Sequence, residues 1–155
     1  MIQNIGIVGS GQMGAGIAHV AALANRNVVL LDVNEAALNK ALESIERNIQ
    51  RQASRGKLED GAAEKALKRI TITTDYSDFN TSDLVIEAAT ENEIIKCKIF
   101  EALVPNLSKE ALIASNTSSI SITRLAATTD RPGKFIGMHF FNPVPIMQLV
   151  ELIRG

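Results

Sequence analysis

The sequence predicts an α/β fold in which helices flank both faces of a mostly parallel, doubly wound sheet. Two observations support it: short apolar runs alternate with segments of helical periodicity, and a glycine-rich turn follows the first run. A chain of 155 residues is also long enough for one ordinary domain with a buried core. Six strands are predicted, at residues 4–8, 28–32, 70–73, 84–88, 112–115 and 135–139, with a seventh at 149–153.

A longer helical segment separates the second and third predicted strands. Its apolar side chains recur every three or four residues, which is the stripe of an amphipathic helix. Gly56 interrupts the pattern, and a second helix is predicted over residues 61–68. Because a minimal crossover between parallel strands needs one helix, we interpret this helical hairpin as an insertion. The stripe consists of Leu38, Leu42, Ile45 and Ile49.

Composition and charge exclude several classes of function. The 16 basic and 17 acidic side chains nearly balance, which argues against nucleic acid as a partner. No basic leader precedes an apolar run and no apolar stretch reaches about 18 residues, so we expect a cytoplasmic protein that does not enter a membrane. Cys97 is the single cysteine, which excludes an internal disulfide and a cysteine-based metal cluster; we interpret it as a buried free thiol.

The turn "GSGQMG" fits a dinucleotide-binding motif, G-x-G-x-x-G, between a strand and a helix. Gly9 permits the tight turn, Gly11 lets a pyrophosphate approach the backbone, and Gly14 lets helix and strand pack closely. The amides and positive end of the helix, which begins near Gln12 and Met13, would then face the phosphates. The motif predicts a Rossmann-type domain.

Asp32 closes the second predicted strand, eighteen positions after Gly14. A carboxylate there accepts hydrogen bonds from both hydroxyls of the adenosine ribose and repels a 2′-phosphate, so NAD is expected rather than NADP. FAD enzymes share the turn but usually carry Glu at the acidic position. The alternative is that the glycines make only a turn and that Asp32 is an ordinary strand-end residue.

Four further stretches, "VIEAATENEIIKCK", "LIASNTSSISI", "HFFNPVP" and "LVE", resemble the 3-hydroxyacyl-CoA dehydrogenase family, including its 3-hydroxybutyryl-CoA dehydrogenases, along the whole chain. The resemblance implies that His139 is the catalytic base and that Glu151 pairs with it. It also implies that Ser118 and Asn142 line the substrate and nicotinamide site. The remaining matches are Glu91 and Lys96, which are implied to approach the cofactor, with Lys96 also able to reach the substrate side.

This chemistry explains the residue types. Oxidation of a secondary alcohol requires the hydroxyl proton to leave as hydride passes from C3 to the nicotinamide, and histidine ordinarily titrates near neutrality. Glu151 would hold one ring nitrogen of His139 in the required tautomer and stabilise the imidazolium. The same site serves the reverse reduction.

The resemblance also implies features outside this chain. The family continues after "LVE" into a helical domain that supplies dimer contacts and closes the acyl cleft, so we expect an amino-terminal domain, truncated or released by proteolysis, with little turnover alone. The whole protein is implied to be a homodimer acting on an acyl-CoA. Basic residues of the helical hairpin are implied to help hold the CoA phosphates.

Several alternatives stay open from the sequence alone. A β-hydroxyacid dehydrogenase of the 3-hydroxyisobutyrate type also has Met-Gly in its glycine turn, and a non-catalytic NAD-binding protein would share the fold. The hydroxyls of "SNTSS" could cap the following helix. Glu87 could be a solvated strand-end carboxylate, and His19 a structural or exposed residue without a catalytic role.

Overall fold

Seven strands form one sheet in the computed structural model, which describes residues 1–155. The strand order is β3-β2-β1-β4-β5-β6-β7; neighbours among the first six run parallel, and β7 is antiparallel to β6. The predicted fold class is confirmed. The strands are β1 (Asn4–Val8), β2 (Asn27–Leu31), β3 (Ile70–Thr73), β4 (Leu84–Glu87), β5 (Leu112–Ser115), β6 (Phe135–Phe140) and β7 (Val150–Ile153).

Five α-helices connect the strands, with short 3-10 turns between some of them. The predicted hairpin between β2 and β3 is present as two helices that contact each other. No helix combines the length and the apolar character needed to cross a membrane. The helices are α1 (Gln12–Leu23), α2 (Glu35–Ser54), α3 (Ala62–Leu67), α4 (Glu93–Leu103) and α5 (Ile122–Ala127).

The predicted strand bounds agree with the structure to within one residue at each end. The shift at the second strand has a physical reason. Asn27 pairs with Asn4 at the start of the ladder, whereas the carboxylate of Asp32 accepts hydrogen bonds from the turn after β1 and from its own following loop. Asp32 therefore lies just beyond β2, where its side chain is free to serve a site.

Two apolar cores lie on opposite faces of the sheet because successive side chains of a strand point to opposite sides. Ile7 and Ile86 join the core beneath α1, α2 and α3, whereas Val8 and Val85 join the core beneath α4 and α5. The amphipathic stripe predicted for α2 is confirmed, since Leu38, Ile45 and Ile49 are fully buried and Leu42 is half-buried.

The sheet order reverses between β1 and β4, and this reversal creates a crevice. From β1 the chain continues toward β2 on one side, while from β4 it continues toward β5 on the other. The loops after the carboxyl ends of β1 and β4 therefore diverge, which is the point in an open parallel sheet where ligands bind.

Candidate functional site

The turn after β1 has two glycines that no other residue could replace without strain. Gly9 has a φ of +102°, and a Cβ there would lie 2.7 Å from the backbone of Ala88 and Ala89. A Cβ on Gly14 would lie 1.7 Å from the carbonyl oxygen of Gly9. A Cβ on Gly11 would meet nothing within 4 Å, so the space beside this residue is open. The turn thus packs tightly on its inner side and leaves room on its outer side.

Helix α1 begins at that open space. Its N-cap is Gly11, which has no side chain to satisfy the first amides, and its first turn carries no acidic residue. By contrast, amides at the start of α2 and α4 donate hydrogen bonds to the side-chain caps Asn34 and Asn92. The first turn of α1 therefore presents uncapped N–H groups and the positive end of the helix dipole, the features that bind phosphate.

Asp32 lies beside this turn and is held by three hydrogen bonds. The backbone N and the Oγ of Ser10 donate to its Oδ2 at 2.9 and 2.8 Å, and the backbone N of Asn34 donates to its Oδ1 at 3.1 Å. Burial acts to raise the pKa of the Asp32 carboxyl, but these donors outweigh it and hold the pKa below its usual range. Asp32 is accordingly a charged acceptor at neutral pH.

A second part of the site is a cavity of about 250 Å³ at the carboxyl ends of β5 and β6. It contains five of the residues singled out from the sequence, which lie far apart in the chain. It also contains Asn116, whose Oδ1 accepts a hydrogen bond from the backbone N of Phe140 at 2.8 Å and so joins the loops after β5 and β6. The eight lining residues are Met13, Glu91, Asn116, Ser118, His139, Phe140, Phe141 and Asn142.

His139 and Glu151 form a cross-strand pair, as expected. They are direct partners in the antiparallel ladder of β6 and β7, and the Nδ1 of His139 lies 3.2 Å from the Oε2 of Glu151. A carboxylate only accepts hydrogen bonds, so Nδ1 carries the proton of this contact. In the neutral ring Nε2 then keeps its lone pair and is able to take up a proton. The Phe141 ring lies 4.6 Å from the imidazole, centre to centre, and restricts its movement.

Glu91 organises the loop after β5. Its carboxylate accepts hydrogen bonds from the Oγ1 of Thr117 and from both the N and the Oγ of Ser118, the latter two at 3.0 and 3.1 Å. Burial acts to raise the pKa of Glu91, but these donors, together with the positive charge of Lys96, outweigh it and lower the pKa. Thr117 was not singled out from the sequence; it is buried and also accepts a hydrogen bond from the N of Ile120. The alternative that the hydroxyls of "SNTSS" cap the following helix is wrong, because Ser121 caps α5.

Lys96 is buried against Glu87. It is 2% exposed, and its Nζ lies 2.7 and 2.9 Å from the two carboxylate oxygens of Glu87, which is 0% exposed. Glu87 also accepts from the Oγ of Ser115 and the N of Ala89. The alternative of a solvated Glu87 is therefore wrong. Lys96 lines neither cavity of the site, and its ammonium faces Glu87; its approach to cofactor and substrate stays a prediction.

A larger cavity of about 680 Å³ lies between α1, α2 and the segment that follows β6. Arg51, Arg55 and Lys57 give one end of it a positive charge. Asn142 lines both this cavity and the one that contains His139, so the two adjoin. The sequence showed the basic character of the hairpin but not which of its basic residues share one cavity.

His19 is a structural residue, the first of the two alternatives left open. It is 2% exposed on the inner side of α1, and its Nε2 lies 2.7 Å from the Oε1 of Gln52 on α2. Burial lowers the pKa of His19, and the Gln52 hydrogen bond opposes this only in part. The expected buried thiol, Cys97, is partly buried on α4.

Comparisons with known proteins identify the family of this chain. The family model described as "3-hydroxyacyl-CoA dehydrogenase, NAD binding domain" matches residues 4–155. The chain is 54% identical over its full length to a 3-hydroxybutyryl-CoA dehydrogenase of Bradyrhizobium diazoefficiens, covering 53% of that protein. It is 41% identical to the mitochondrial hydroxyacyl-coenzyme A dehydrogenase of Rattus norvegicus, covering 99% of this chain and 51% of that one.

A solved structure gives the same result. The (S)-3-hydroxybutyryl-CoA dehydrogenase of Ralstonia eutropha superposes with a TM-score of 0.96 at 49% identity, over 100% of this chain and 55% of the other. The chain thus spans about half the length of the relatives that it matches. It belongs to the 3-hydroxyacyl-CoA dehydrogenase family and corresponds to the family's NAD-binding domain.

Proposed function

We propose that this chain is the cofactor-binding half of an enzyme that oxidises a 3-hydroxyacyl-CoA to a 3-oxoacyl-CoA with NAD, or reduces acetoacetyl-CoA in the reverse direction. The observation that carries the proposal is that His139, paired with Glu151 at 3.2 Å, lines a cavity that Met13 of the glycine turn also lines. A proton acceptor and a dinucleotide turn thereby share one crevice.

The residues present fit NAD. The open space at Gly11 and the uncapped first turn of α1 would receive the pyrophosphate, with Gln12 and Met13 at the start of the helix. Asp32 would accept from the adenosine ribose hydroxyls, and its negative charge would repel a 2′-phosphate. When bound, the nicotinamide ring supplies the acceptor for the hydride that leaves C3 of the substrate.

The proton is handled by His139. In the oxidative direction its Nε2 takes the proton of the C3 hydroxyl as the hydride departs, and Glu151 stabilises the resulting imidazolium through Nδ1–H. In the reductive direction the imidazolium returns the proton to the ketone oxygen. Ser118, held by Glu91, and Asn142 offer hydrogen bonds that would orient the reacting oxygen against the cofactor.

The larger cavity suits the CoA part of the substrate. Arg51, Arg55 and Lys57 supply positive charge for its phosphates. A pantetheine chain lying past Val144 would arrive at Asn142, where the two cavities adjoin, and place its thioester near His139. This arrangement favours a CoA ester over a small free acid.

We further propose that the active enzyme contains another domain, dimerises through it, and works in the cytoplasm. Support for a packed neighbour comes from the exposed apolar side chains around β7, since Ile146, Leu149 and Leu152 are 72%, 54% and 64% exposed.

The experiment compares two variants of the full-length protein that contains this chain. His139→Ala should reduce the rate of acetoacetyl-CoA reduction, followed by NADH absorbance, by at least about a hundredfold, while the Kd for NADH stays within about twofold. Arg51→Ala should weaken the binding of acetoacetyl-CoA. Lys68→Ala is the control, since Lys68, at the end of α3, pairs with Glu64 outside the cavity. Wild-type turnover by His139→Ala would refute the proposal.

A further inference from the structure

We propose that Ser10 is a positioning residue that fixes the Asp32 carboxylate and so sets the preference for NAD over NADP. This inference rests on the proposed function and deepens its cofactor site. Ser10 occupies the position between the first two glycines of the turn, where the dinucleotide motif accepts any residue. Its side chain nevertheless makes a specific contact, which the motif alone does not require.

The contact is a two-point clamp on one oxygen. The backbone N and the Oγ of Ser10 both donate to Oδ2 of Asp32, at 2.9 and 2.8 Å, and Ser10 is 6% exposed. The other oxygen, Oδ1, accepts one hydrogen bond within residues 1–155, from the N of Asn34. Because a carboxylate has about four acceptor positions, Oδ1 keeps capacity for ribose hydroxyls while Oδ2 is occupied by the turn.

The clamp ties two parts of the cofactor site together. The turn already hydrogen-bonds β2, since the N of Gly9 donates to the O of Leu31 at 2.7 Å. With Ser10 bound to Asp32, the backbone that would receive the pyrophosphate and the carboxylate that would receive the ribose are held at a fixed separation. A preorganised site loses less conformational entropy when the ligand binds, so the clamp increases affinity for a cofactor that fits it.

The same clamp acts against NADP. A 2′-phosphate meets a carboxylate that cannot swing aside, because its Oδ2 is bound to the turn, and that stays charged through the hydrogen bonds of Ser10 and Asn34. Without the serine hydroxyl, the carboxylate has only the two backbone donors and is able to rotate away. Loss of the hydroxyl should therefore weaken the binding of NADH more than the binding of NADPH.

The test is the Ser10→Ala variant, with Ser121→Ala as the matched control. Ser121 also uses its Oγ in a local backbone contact, as the cap of α5, and lies outside the residues that hold Asp32. We expect Ser10→Ala to raise the Kd for NADH about tenfold, the effect of losing one hydrogen bond to a charged group, and to leave the Kd for NADPH within about twofold. The ratio of the Kd for NADPH to the Kd for NADH then falls about tenfold, while Ser121→Ala keeps the wild-type ratio.

A pH series separates positioning from a merely structural role. In Ser10→Ala the loss of NADH affinity on acidification should begin at a higher pH than in the wild type, because Asp32 keeps fewer donors to its charged form. Tyr76, the ionisable neighbour on the turn after β3, stays neutral there because burial and the nearby Asp32 raise its pKa. Ser10→Cys is the second variant, for use if Ser10→Ala folds poorly. Its side chain is similar in size to serine but is a weak donor, so the same change in NADH affinity is expected.

The outcomes are distinct. If Ser10→Ala and Ser10→Cys weaken the binding of NADH and NADPH equally, or change neither, the inference is overturned. This holds even where Asp32→Ala abolishes the preference for NADH over NADPH and so supports the proposed cofactor site. A folded wild type that binds no NADH would overturn the proposed function, and with it the role given to Ser10.

Discussion

Removing the Lys96 amine should destabilise this domain more than any exposed charge change, because it leaves the Glu87 carboxylate buried without a cation. Both partners are almost inaccessible, with side chains 3% and 0% exposed. In Lys96→Met, Glu87 keeps only the donors from Ser115 and Ala89. Breaking one side of such a pair typically costs about 3–5 kcal/mol, a large share of the roughly 5–15 kcal/mol that stabilises an ordinary domain.

This loss corresponds to a fall in melting temperature of roughly 6–20 °C for a domain of this size, at about 2–4 °C for each kcal/mol. The assay is urea unfolding followed by far-ultraviolet circular dichroism, with Lys68→Met as the control. Lys68 forms a pair with Glu64 at the same 2.7 Å distance, but those side chains are 74% and 73% exposed. Solvent screens that pair, so its loss should leave the unfolding midpoint unchanged.

The double variant Lys96→Met, Glu87→Met separates charge from packing. Because two apolar side chains of similar length leave no buried charge, the double variant should recover most of the stability lost in Lys96→Met. If Lys96→Met unfolds at the same urea concentration as Lys68→Met, the Glu87–Lys96 pair is not buried as described. A double variant no more stable than Lys96→Met would show that packing volume, and not the unpaired carboxylate, causes the loss.

Three further predictions concern the glycine turn, the acid–base pair and pH. Gly14→Ala should lower the free energy of unfolding in urea by at least about 1–3 kcal/mol, because its Cβ meets the Gly9 carbonyl. Gly11→Ala should keep the wild-type stability but weaken NADH binding, followed by fluorescence titration. The same loss of stability in both variants would contradict this. In the full-length protein, Glu151→Gln should lower turnover roughly 10–100-fold without changing the NADH Kd, and unchanged turnover would remove Glu151 from the mechanism. Burial lowers the pKa of His19, so the unfolded chain binds the proton more readily than the folded one. The contribution of His19 to the free energy of unfolding is therefore fully present above pH 6.5 and is lost as the pH falls below it. In His19→Gln, urea unfolding should show a smaller loss of stability with falling pH.

Much of the fold was predictable because its determinants are local. The strands of a parallel sheet covered on both faces are nearly continuous apolar runs, and these stand out in the sequence as 5–8 and 84–88 do. The glycine turn was predictable because a Cβ on Gly9 or Gly14 would clash with neighbouring backbone atoms, so both positions require glycine. The His139–Glu151 pair came from the family resemblance, and only the register of β6 with β7 shows the contact.

The parts that were not predictable depend on packing between distant segments. Glu87 and Lys96 are nine residues apart, and their charges alone suggest solvent; burial follows from where β4 and α4 meet. Thr117 was overlooked because a threonine beside serines gives no sign that it will bind Glu91, 26 residues away. Likewise, no sequence pattern shows that Asn142 joins two cavities.

We propose that this crevice binds NAD and presents His139 to a CoA ester. The most direct measurement is titration calorimetry of the 155-residue chain with NADH, followed by acetoacetyl-CoA added to the NADH complex. We expect one NADH to bind per chain, and NADH to bind more weakly to Gly11→Ala at unchanged stability. A chain that is folded by circular dichroism and takes up no NADH would contradict it.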